Sequence, residues 1–482
     1  MKKTDLTKVK INSKVGFFRF KEIGNKYLLT NDFGFFAILT KKEFKDFLEG
    51  NLDKAGELYQ KLVKEGFIKD AVGLDGLIQR YADKNCTLLM GPNLHIIVVS
   101  LRCNTKCVYC QASSLPADCI DYDMDRKTAK KVVDLIFESP SPVITIEFQG
   151  GEPLINWPVV RYIVNYAKKK SKDSSFRGRK LNMSIVTNFS LMNEERLNFL
   201  VKNMVSLCTS LDGPEHLHNA NRPLPNLNGY KITVDWIQKV KELEKKRLKA
   251  GKTVYNLSAL LTVARKSLDY PEEIIDEYRK RGFEGIFLRP LSYLGKSGGE
   301  ARDKIGYSVE DFLKFWKKSM DYIISINLKG EFFMERGCRI MLQKILTAKD
   351  PGFTDLRSPC GAAVGQVLYN YDGKIFTCDE GRMIGDDTFV IGDVNESQYD
   401  EIVWNDKTKT MVNSSMLENL SCDLCVYKPY CGVCPVKNYA LYGNLFPQMK
   451  NTEWCKQNRF QLDYLFDKMK DLKIKKVFES WT

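Results

Sequence analysis

Three cysteines lie close together in the stretch LRCNTKCVYCQ, directly after the short apolar run LHIIVVS. Cys103 and Cys107 are separated by three residues, and Cys107 and Cys110 by two. A tetrahedral zinc site would use a fourth ligand, whereas a [4Fe-4S] cluster held by three thiolates leaves one iron open to another molecule. The array also follows a predicted strand, and strand-helix proteins gather their active sites at that end of a strand. The absent fourth cysteine therefore indicates a cluster with an open iron.

The composition is that of a globular protein. The chain has 482 residues, 44% hydrophobic and 28% charged, which is enough for two or three domains. The start, MKKTDLTKVKINSK, lacks the apolar run of a signal peptide, and no stretch approaches the ~20 apolar residues of a membrane span. We expect a cytoplasmic protein without membrane contact, in which fourteen cysteines bind metal or do chemistry rather than form disulfides.

The net charge of +14 comes from basic residues spread along helices with acids between them, as in KVKELEKKRLK. This pattern is typical of a solvated surface and does not favour nucleic acid binding. A positive field could still attract an acidic peptide.

The pattern of strands and helices divides the chain into four segments. Residues 1–85 read as paired strands followed by helices, and residues 90–295 as six strands alternating with helices, which predicts an α/β fold with a parallel sheet or partial barrel. Residues 296–335 read as a helical bridge. Residues 336–482 form a glycine- and cysteine-rich tail with a C-terminal helix.

Polar residues follow several predicted strands. The second strand ends in QGGEP, where Gly150 and Gly151 would let the backbone approach a ligand closely and Glu152 could accept hydrogen bonds from an ammonium group. A tight turn without a ligand is the alternative. Later strand ends carry Thr187, Asn188, Ser210, Asp212 and the pair Leu288 and Arg289.

CNTKCVYC, with the aromatic Tyr109 before its last cysteine, resembles the cluster motif of the radical S-adenosylmethionine (radical SAM) superfamily. The resemblance implies a partial (β/α)6 barrel and a cluster whose open iron chelates the amine and carboxylate of SAM. An electron then cleaves SAM to a 5'-deoxyadenosyl radical. By the same resemblance GGEP holds the methionine amino group, and SLDGP with HLHNANR contacts the ribose, through Ser210 first and Arg222 second. The implied cofactor-binding residues are Tyr109, Gly150, Gly151, Glu152, Pro153, Thr187, Asn188, Ser210, Asp212, Arg222 and Leu288.

Seven cysteines in the tail resemble the SPASM extension, which holds two auxiliary [4Fe-4S] clusters in peptide-modifying radical enzymes. The resemblance implies an outer cluster on Cys422, Cys425, Cys431 and Cys455, and an inner cluster on Cys360, Cys378 and Cys434. The fourth inner ligand is either Cys338 or an open position. Cys431 and Cys434 are separated by two residues where the family has three, and one or two structural zincs are the alternative use of the CxxC pairs.

Asp379 directly follows Cys378, and an aspartate at the matching position is the proposed base in sulfatase-maturating relatives. A carboxylate beside a cluster and away from water could have its pKa moved toward neutrality and accept a proton. The alternative is a surface acid next to Glu380.

Residues 1–85 resemble the small winged-helix module that recognises leader peptides, which implies that an exposed strand edge binds the leader. A DNA-binding winged helix is the alternative, but the lysines are not concentrated in one helix.

The order of these motifs is most similar to radical SAM/SPASM peptide maturases of the His-Xaa-Ser type. The resemblance implies an enzyme that installs an oxidative crosslink (C-C, C-O or thioether) in a ribosomal precursor peptide. Its cofactors would be SAM and three [4Fe-4S] clusters, and flavodoxin or ferredoxin would supply electrons. A sulfatase-maturating enzyme that oxidises a Cys or Ser of a protein and a non-enzymatic iron-sulfur or zinc scaffold are the alternatives.

Overall fold

An antiparallel three-stranded sheet with helices forms the N-terminal module. The computed structural model describes residues 10–69, 74–88, 90–253, 257–298 and 300–482. The module contains β1 (Arg19–Ile23), β2 (Lys26–Thr30), β3 (Phe36–Thr40), α1 (Lys41–Glu49), α2 (Glu57–Lys64) and α3 (Asp75–Asn85), with strand order β1-β2-β3. Thr40 and Glu43 form a capping box that fixes the start of α1. Phe44 and Phe47 pack beneath the sheet.

Six parallel strands form the central sheet, in agreement with the six predicted strand-helix units. They are β4 (Leu94–Ser100), β5 (Val143–Gly150), β6 (Lys180–Thr187), β7 (Val205–Ser210), β8 (Ser258–Val263) and β10 (Leu288–Pro290), each beside the one before it. The helices between them are α4 (Arg126–Ile136), α5 (Trp157–Lys170), α6 (Glu194–Lys202), α7 (Glu215–Asn221), α8 (Gly229–Lys249) and α9 (Pro271–Lys280).

The two faces of this sheet differ in burial. On β5, Ile144, Ile146 and Phe148 are fully buried in the core shared with α4 and α5. Glu147 and Gln149 alternate with them and are only partly buried. We call the face that carries Glu147 and Gln149 the inner face.

The tail shares the barrel sheet, a connection that the predicted domain boundaries did not include. Strand β12 (Gln366–Tyr369) pairs in parallel with β4, and β13 (Lys374–Phe376) and β14 (Val390–Asp393) follow in antiparallel order. The result is one nine-stranded sheet. The edge of β4 would otherwise expose unpaired backbone groups, and β12 satisfies them.

Helices cover the remaining surface of the barrel and tail. The sheet pair β9 (Gly285–Ile286) and β11 (Met334–Glu335) joins the end of the barrel to the tail. The helices are α10 (Glu300–Ile305), α11 (Val309–Leu328), α12 (Arg336–Leu346), α13 (Asp379–Met383), α14 (Tyr399–Val403), α15 (Asp406–Ser415), α16 (Pro435–Tyr442), α17 (Glu453–Lys468) and α18 (Leu472–Ser480). Within the described ranges, none of these or the earlier helices is long and apolar enough to cross a membrane.

The N-terminal module packs directly against the tail. The buried Arg19 donates to the main-chain oxygen of Asp423, and Thr30 Oγ1 donates to the oxygen of Val426 at 2.7 Å. Lys21 Nζ lies 2.7 Å from Asp463 Oδ2 on α17. The module therefore contacts the segment that carries Cys422 and Cys425.

Candidate active site

The segment from Cys103 to Cys110, which we call the thiol loop, begins just after β4. Main-chain bonds hold it: Cys103 N donates to Leu115 O at 2.9 Å, and Val108 N donates to Asn221 O at 2.9 Å. Burial raises the pKa of Cys107 to about 12, and the neighbouring thiols of Cys103 and Cys110 add to that rise. The metal-free thiols are therefore protonated, and a bound metal would displace their protons.

The GGEP turn lies against the thiol loop. A Cβ on Gly150 would lie 2.1 Å from Ser100 O, and one on Gly151 would lie 2.2 Å from Arg102 O. Gly150 also has a φ of 127°, which disfavours other residues. The close approach that these glycines permit is thus to the chain leading into the thiol loop.

Glu152 lies in the same turn and is buried with three donors around it. Its carboxylate accepts from Leu154 N at 3.0 Å, Thr187 Oγ1 at 2.7 Å and Asn188 N at 2.8 Å. Burial raises its pKa. A carboxylate offers about four acceptor positions, so one remains for an ammonium group. Pro153 is buried in the next turn of the chain.

Asp212, Arg222 and Tyr109 form a buried polar network beside the thiol loop. Asp212 accepts from the Tyr109 hydroxyl and, at 3.1 Å, from Arg222 Nε. Arg222 Nη1 lies 3.9 Å from Cys107 Sγ, and the guanidinium lies 5.2 Å from the Tyr109 ring centre. Both Asp212 oxygens are thus occupied within the protein, which fits positioning of the thiol loop better than the expected ribose contact.

The other predicted cofactor residues have different surroundings. Asn188 Nδ2 donates to Thr105 Oγ1 at 2.6 Å and so contacts the thiol loop. Ser210 is buried at the end of β7. Leu288 is buried, and its amide donates to Glu335 Oε1 at 3.0 Å. The position of Leu288 is that of a core residue.

Asn221, next to Arg222, was not singled out by the sequence. Its side chain is 2% exposed, and its Nδ2 has no hydrogen-bond partner among the described residues. An unpaired buried amide beside the thiol loop fits a polar ligand at this place.

Cys360, Cys378 and Cys434 come together in one buried cluster, which we call the inner thiol group. They pack with Ile96 and Val98 of β4. Burial raises the pKa of Cys360 to about 12. Three convergent, buried thiols fit an iron-sulfur cluster or another thiolate-bound metal.

Cys338 does not join that group. It lies at the start of α12, and its thiol is 3.6 Å from Met320 Sδ in the core beneath α11. Its amide donates to Glu335. We therefore remove Cys338 from the candidate ligands, because its side chain is committed to a different apolar cluster.

Cys422, Cys425, Cys431 and Cys455 form a second site, the outer thiol group. The thiols of Cys422, Cys425 and Cys455 all act on the Cys431 thiol, whose pKa burial raises to about 12. Gly432 explains the short spacing to Cys434, since a Cβ there would lie 2.4 Å from Arg357 N. This close backbone contact lets Cys431 belong to the outer group and Cys434 to the inner group.

Asp379 and Glu380 form a hydrogen-bonded carboxyl pair beside Cys378. Burial and the charge of Asp379 raise the pKa of Glu380 well above its usual range. Burial opposes the ionisation of Asp379, but hydrogen bonds from Glu380 and from Gln366 Nε2 (2.7 Å) outweigh it and lower its pKa. The expectation of a raised pKa at Asp379 is therefore wrong: the pair holds its proton on Glu380.

The inner face connects the thiol loop to this pair. Arg382 Nη2 donates to Ala112 O at 2.9 Å, just beyond Cys110. Glu147 accepts from Gln149 Nε2 at 2.6 Å and Ser184 Oγ at 3.0 Å. Further polar residues acting on this face are Cys208, Ser258, Arg289 and Arg336. Polar residues alternating with buried ones on β5 were the signal for them, whereas Cys208 had been interpreted as incidental.

Replacing Gly151 with alanine should displace the thiol loop. The new methyl group would overlap the Arg102 and Leu101 oxygens, both backbone atoms that cannot rotate away. We expect the Gly151→Ala protein, reconstituted with iron and sulfide, to bind about four fewer irons per chain. The matched control is Gly76→Ala, where nothing lies within 4 Å of the added atom. Full iron content in Gly151→Ala would contradict the proposed role of the turn.

Replacing Arg222 with methionine should leave the buried Asp212 carboxylate without its cation. Breaking a buried pair in this way costs about 3–5 kcal/mol. We expect faster hydrogen exchange of the β7 amides, measured by mass spectrometry. Arg161→Met, which breaks an exposed pair with Glu195, serves as the control and should change little. Equal protection in both variants would show that the Asp212 pair is not structurally important.

Comparison with known proteins gives three main results. Residues 97–262 match the model of the Radical SAM superfamily. A cysteine-type anaerobic sulfatase-maturating enzyme of Clostridium novyi (strain NT) is 25% identical over 360 residues, covering 72% of this chain and 87% of that enzyme. The structure of native anSMEcpe with bound AdoMet and Cp18Cys peptide has a TM-score of 0.64 at 20% identity, covering 79% of this chain and 98% of that one.

Streptococcus suis SuiB bound to precursor peptide SuiA has a TM-score of 0.53 at 14% identity, covering 91% of this chain and 98% of that one. The matched family segment runs from β4 into β8 and includes the thiol loop, the GGEP turn and the Asp212 network. Through this barrel, the chain belongs to the Radical SAM superfamily.

Proposed function

We propose that this chain is a radical SAM enzyme that installs an oxidative crosslink in a ribosomally made precursor peptide. The observation that carries the proposal is the convergence of the thiol loop and the inner thiol group on one polar inner face, linked by Arg382. Such a face could take a peptide side chain between a radical source and an electron acceptor. The motif order favours the His-Xaa-Ser type, and the peptide-bound anSMEcpe and SuiB structures, which share the fold, support a peptide substrate.

Cys103, Cys107 and Cys110 would hold a [4Fe-4S] cluster that, with SAM bound, supplies a 5'-deoxyadenosyl radical able to remove a hydrogen atom from the substrate. The remaining acceptor position of Glu152 would bind the amino group of SAM, and Ser210 and Asn221 are the nearest candidates for its ribose. Arg222 and Asp212 would act as positioning residues that hold the thiol loop.

The inner and outer thiol groups would hold two auxiliary clusters that accept the electron from the substrate radical. Their buried, apolar surroundings exclude water from that path. A flavodoxin or ferredoxin would deliver the electron that starts the cycle.

Asp379 would accept the proton that is lost when the substrate radical is oxidised. Its position supports this role, because it lies beside Cys378 and Arg382 bridges from its helix to the thiol loop.

The test is mass spectrometry of the short peptide encoded beside the gene, after incubation with anaerobically reconstituted protein, SAM and reductant. A loss of two hydrogens, about 2 Da, is the expected product. Accumulation of 5'-deoxyadenosine with an unchanged peptide mass would reject this substrate.

In the same assay, Asp379→Asn should still form 5'-deoxyadenosine while product formation falls by about 10²–10⁴-fold, the usual contribution of a general base. Ser184→Ala, on the same inner face, controls for general disturbance. An unchanged product yield in Asp379→Asn would remove Asp379 from the mechanism.

The N-terminal module is the proposed binding site for the leader segment of the peptide. Its sheet has edge strands at β1 and β3, and the neighbouring Phe17 is 53% exposed. An extended leader could add to an edge strand and place an apolar side chain against Phe17.

Deleting residues 1–85 should abolish leader binding, but it would also remove the contacts of Arg19 and Thr30 with the segment near the outer thiol group. A point substitution is therefore the sharper test. We expect Phe17→Ser to weaken binding of a fluorescent leader peptide by about tenfold or more, with Trp404→Ser as the exposed aromatic control. Equal affinity in both variants would count against this surface.

A sulfatase-maturating activity on a Cys or Ser of a protein is the second candidate. The C. novyi relative, which aligns over 72% of this chain, favours it. A sulfatase-derived peptide that loses two hydrogens at one Cys or Ser, while the gene-adjacent peptide is unchanged, would select this candidate.

A further inference from the structure

The inner thiol group has three cysteines and an adjacent carboxyl pair. Cys378 Sγ and one carboxyl oxygen each from Asp379 and Glu380 all lie within 4.8 Å of one another. Burial raises the pKa of both Cys360 and Cys434, and the Glu380 carboxyl adds to the rise in each. Glu380 is therefore close to all three thiols.

The neighbouring candidates for a fourth ligand are already engaged. The Cys338 thiol faces Met320 in another part of the core. Asp355 Oδ2 lies 3.0 Å from Lys437 Nζ, and Asp379 accepts from Gln366. Glu380 shares a hydrogen bond with Asp379, and binding iron would require only that this bond be exchanged for a metal bond.

We propose that Glu380 is the fourth ligand of the inner cluster and binds, through a carboxylate oxygen, the iron that the three cysteines leave open. This inference rests on the proposed iron-sulfur function of the inner thiol group. On binding, Glu380 loses its proton to solvent and iron gains one oxygen ligand, with no change in oxidation state. Iron-sulfur clusters accept ligands other than cysteine, and the change of ligand alters the reduction potential.

A second consequence concerns Asp379. The carboxyl pair shares one hydrogen bond in the metal-free chain. When Glu380 turns to iron, Asp379 keeps Gln366 as its donor and gains a free acceptor position. Cluster assembly would in this way prepare Asp379 to receive the substrate proton.

The experiment uses the full chain with Cys103, Cys107 and Cys110 replaced by alanine, so that only the inner and outer groups can hold clusters. After anaerobic reconstitution with iron and sulfide, this parent should bind about eight irons per chain. Mössbauer spectroscopy should show one iron in four of the inner cluster with an oxygen-ligand signature. In Glu380→Ala we expect about seven irons and the EPR signal of an oxidised three-iron cluster. Glu380→Cys should restore about eight irons and remove the distinct Mössbauer site.

Asp355→Asn is the matched control and should keep the parent spectrum. The outer cluster is an internal standard for folding, because its signal must survive in every variant. Identical spectra in the parent and Glu380→Ala, or loss of iron in Asp355→Asn instead, would overturn the assignment of Glu380 alone. A parent that binds no inner cluster would overturn both this inference and the proposed function.

Discussion

The parallel pairing of β12 with β4 is the constraint on which the site depends. It joins the tail to the barrel in one sheet, so that β4 serves both parts. The carboxyl end of β4 leads into the thiol loop, while Ile96 and Val98 of the same strand pack against the inner thiol group. A seven-residue strand is about 23 Å long, so β4 sets the scale of the separation between the two groups.

Buried polar groups then fix the loops that the sheet brings together. Glu152 connects the ends of β5 and β6 through three hydrogen bonds, and Asp212 holds both Tyr109 and Arg222. Each group would be costly to bury alone, and each is paired in the described structure. The thiol loop is thus presented by a rigid frame before any metal binds, which is what a site that must orient a reactive cofactor needs.

Much of this arrangement was predictable from the sequence, because the signals were local. LHIIVVS reads as a buried strand and is β4, and the cysteine spacing of the thiol loop is visible without a structure. The sorting of Cys431 and Cys434 into different groups followed from resemblance, but the reason for it, the contact of Gly432 with Arg357, is tertiary.

Other features depend on contacts between distant parts of the chain and left no local signal. The side chain of Cys338 faces Met320 rather than the inner thiols because α11 and α12 pack together. Arg222 read as an ordinary loop arginine, yet burial beside Asp212 makes it part of the frame. The proton held by Glu380 rather than Asp379 likewise depends on Gln366, thirteen residues from Asp379 in the chain.

The central claim is that the three thiol groups are iron-sulfur sites arranged around one sheet. The most direct measurement is the metal and sulfide content of the anaerobically purified full chain, together with its EPR spectrum after reduction. Three clusters predict about twelve irons and twelve sulfides per chain, with overlapping cluster signals that change when SAM is added. Stoichiometric zinc, with little iron and no response to SAM, would contradict the account and make the chain a structural metal scaffold.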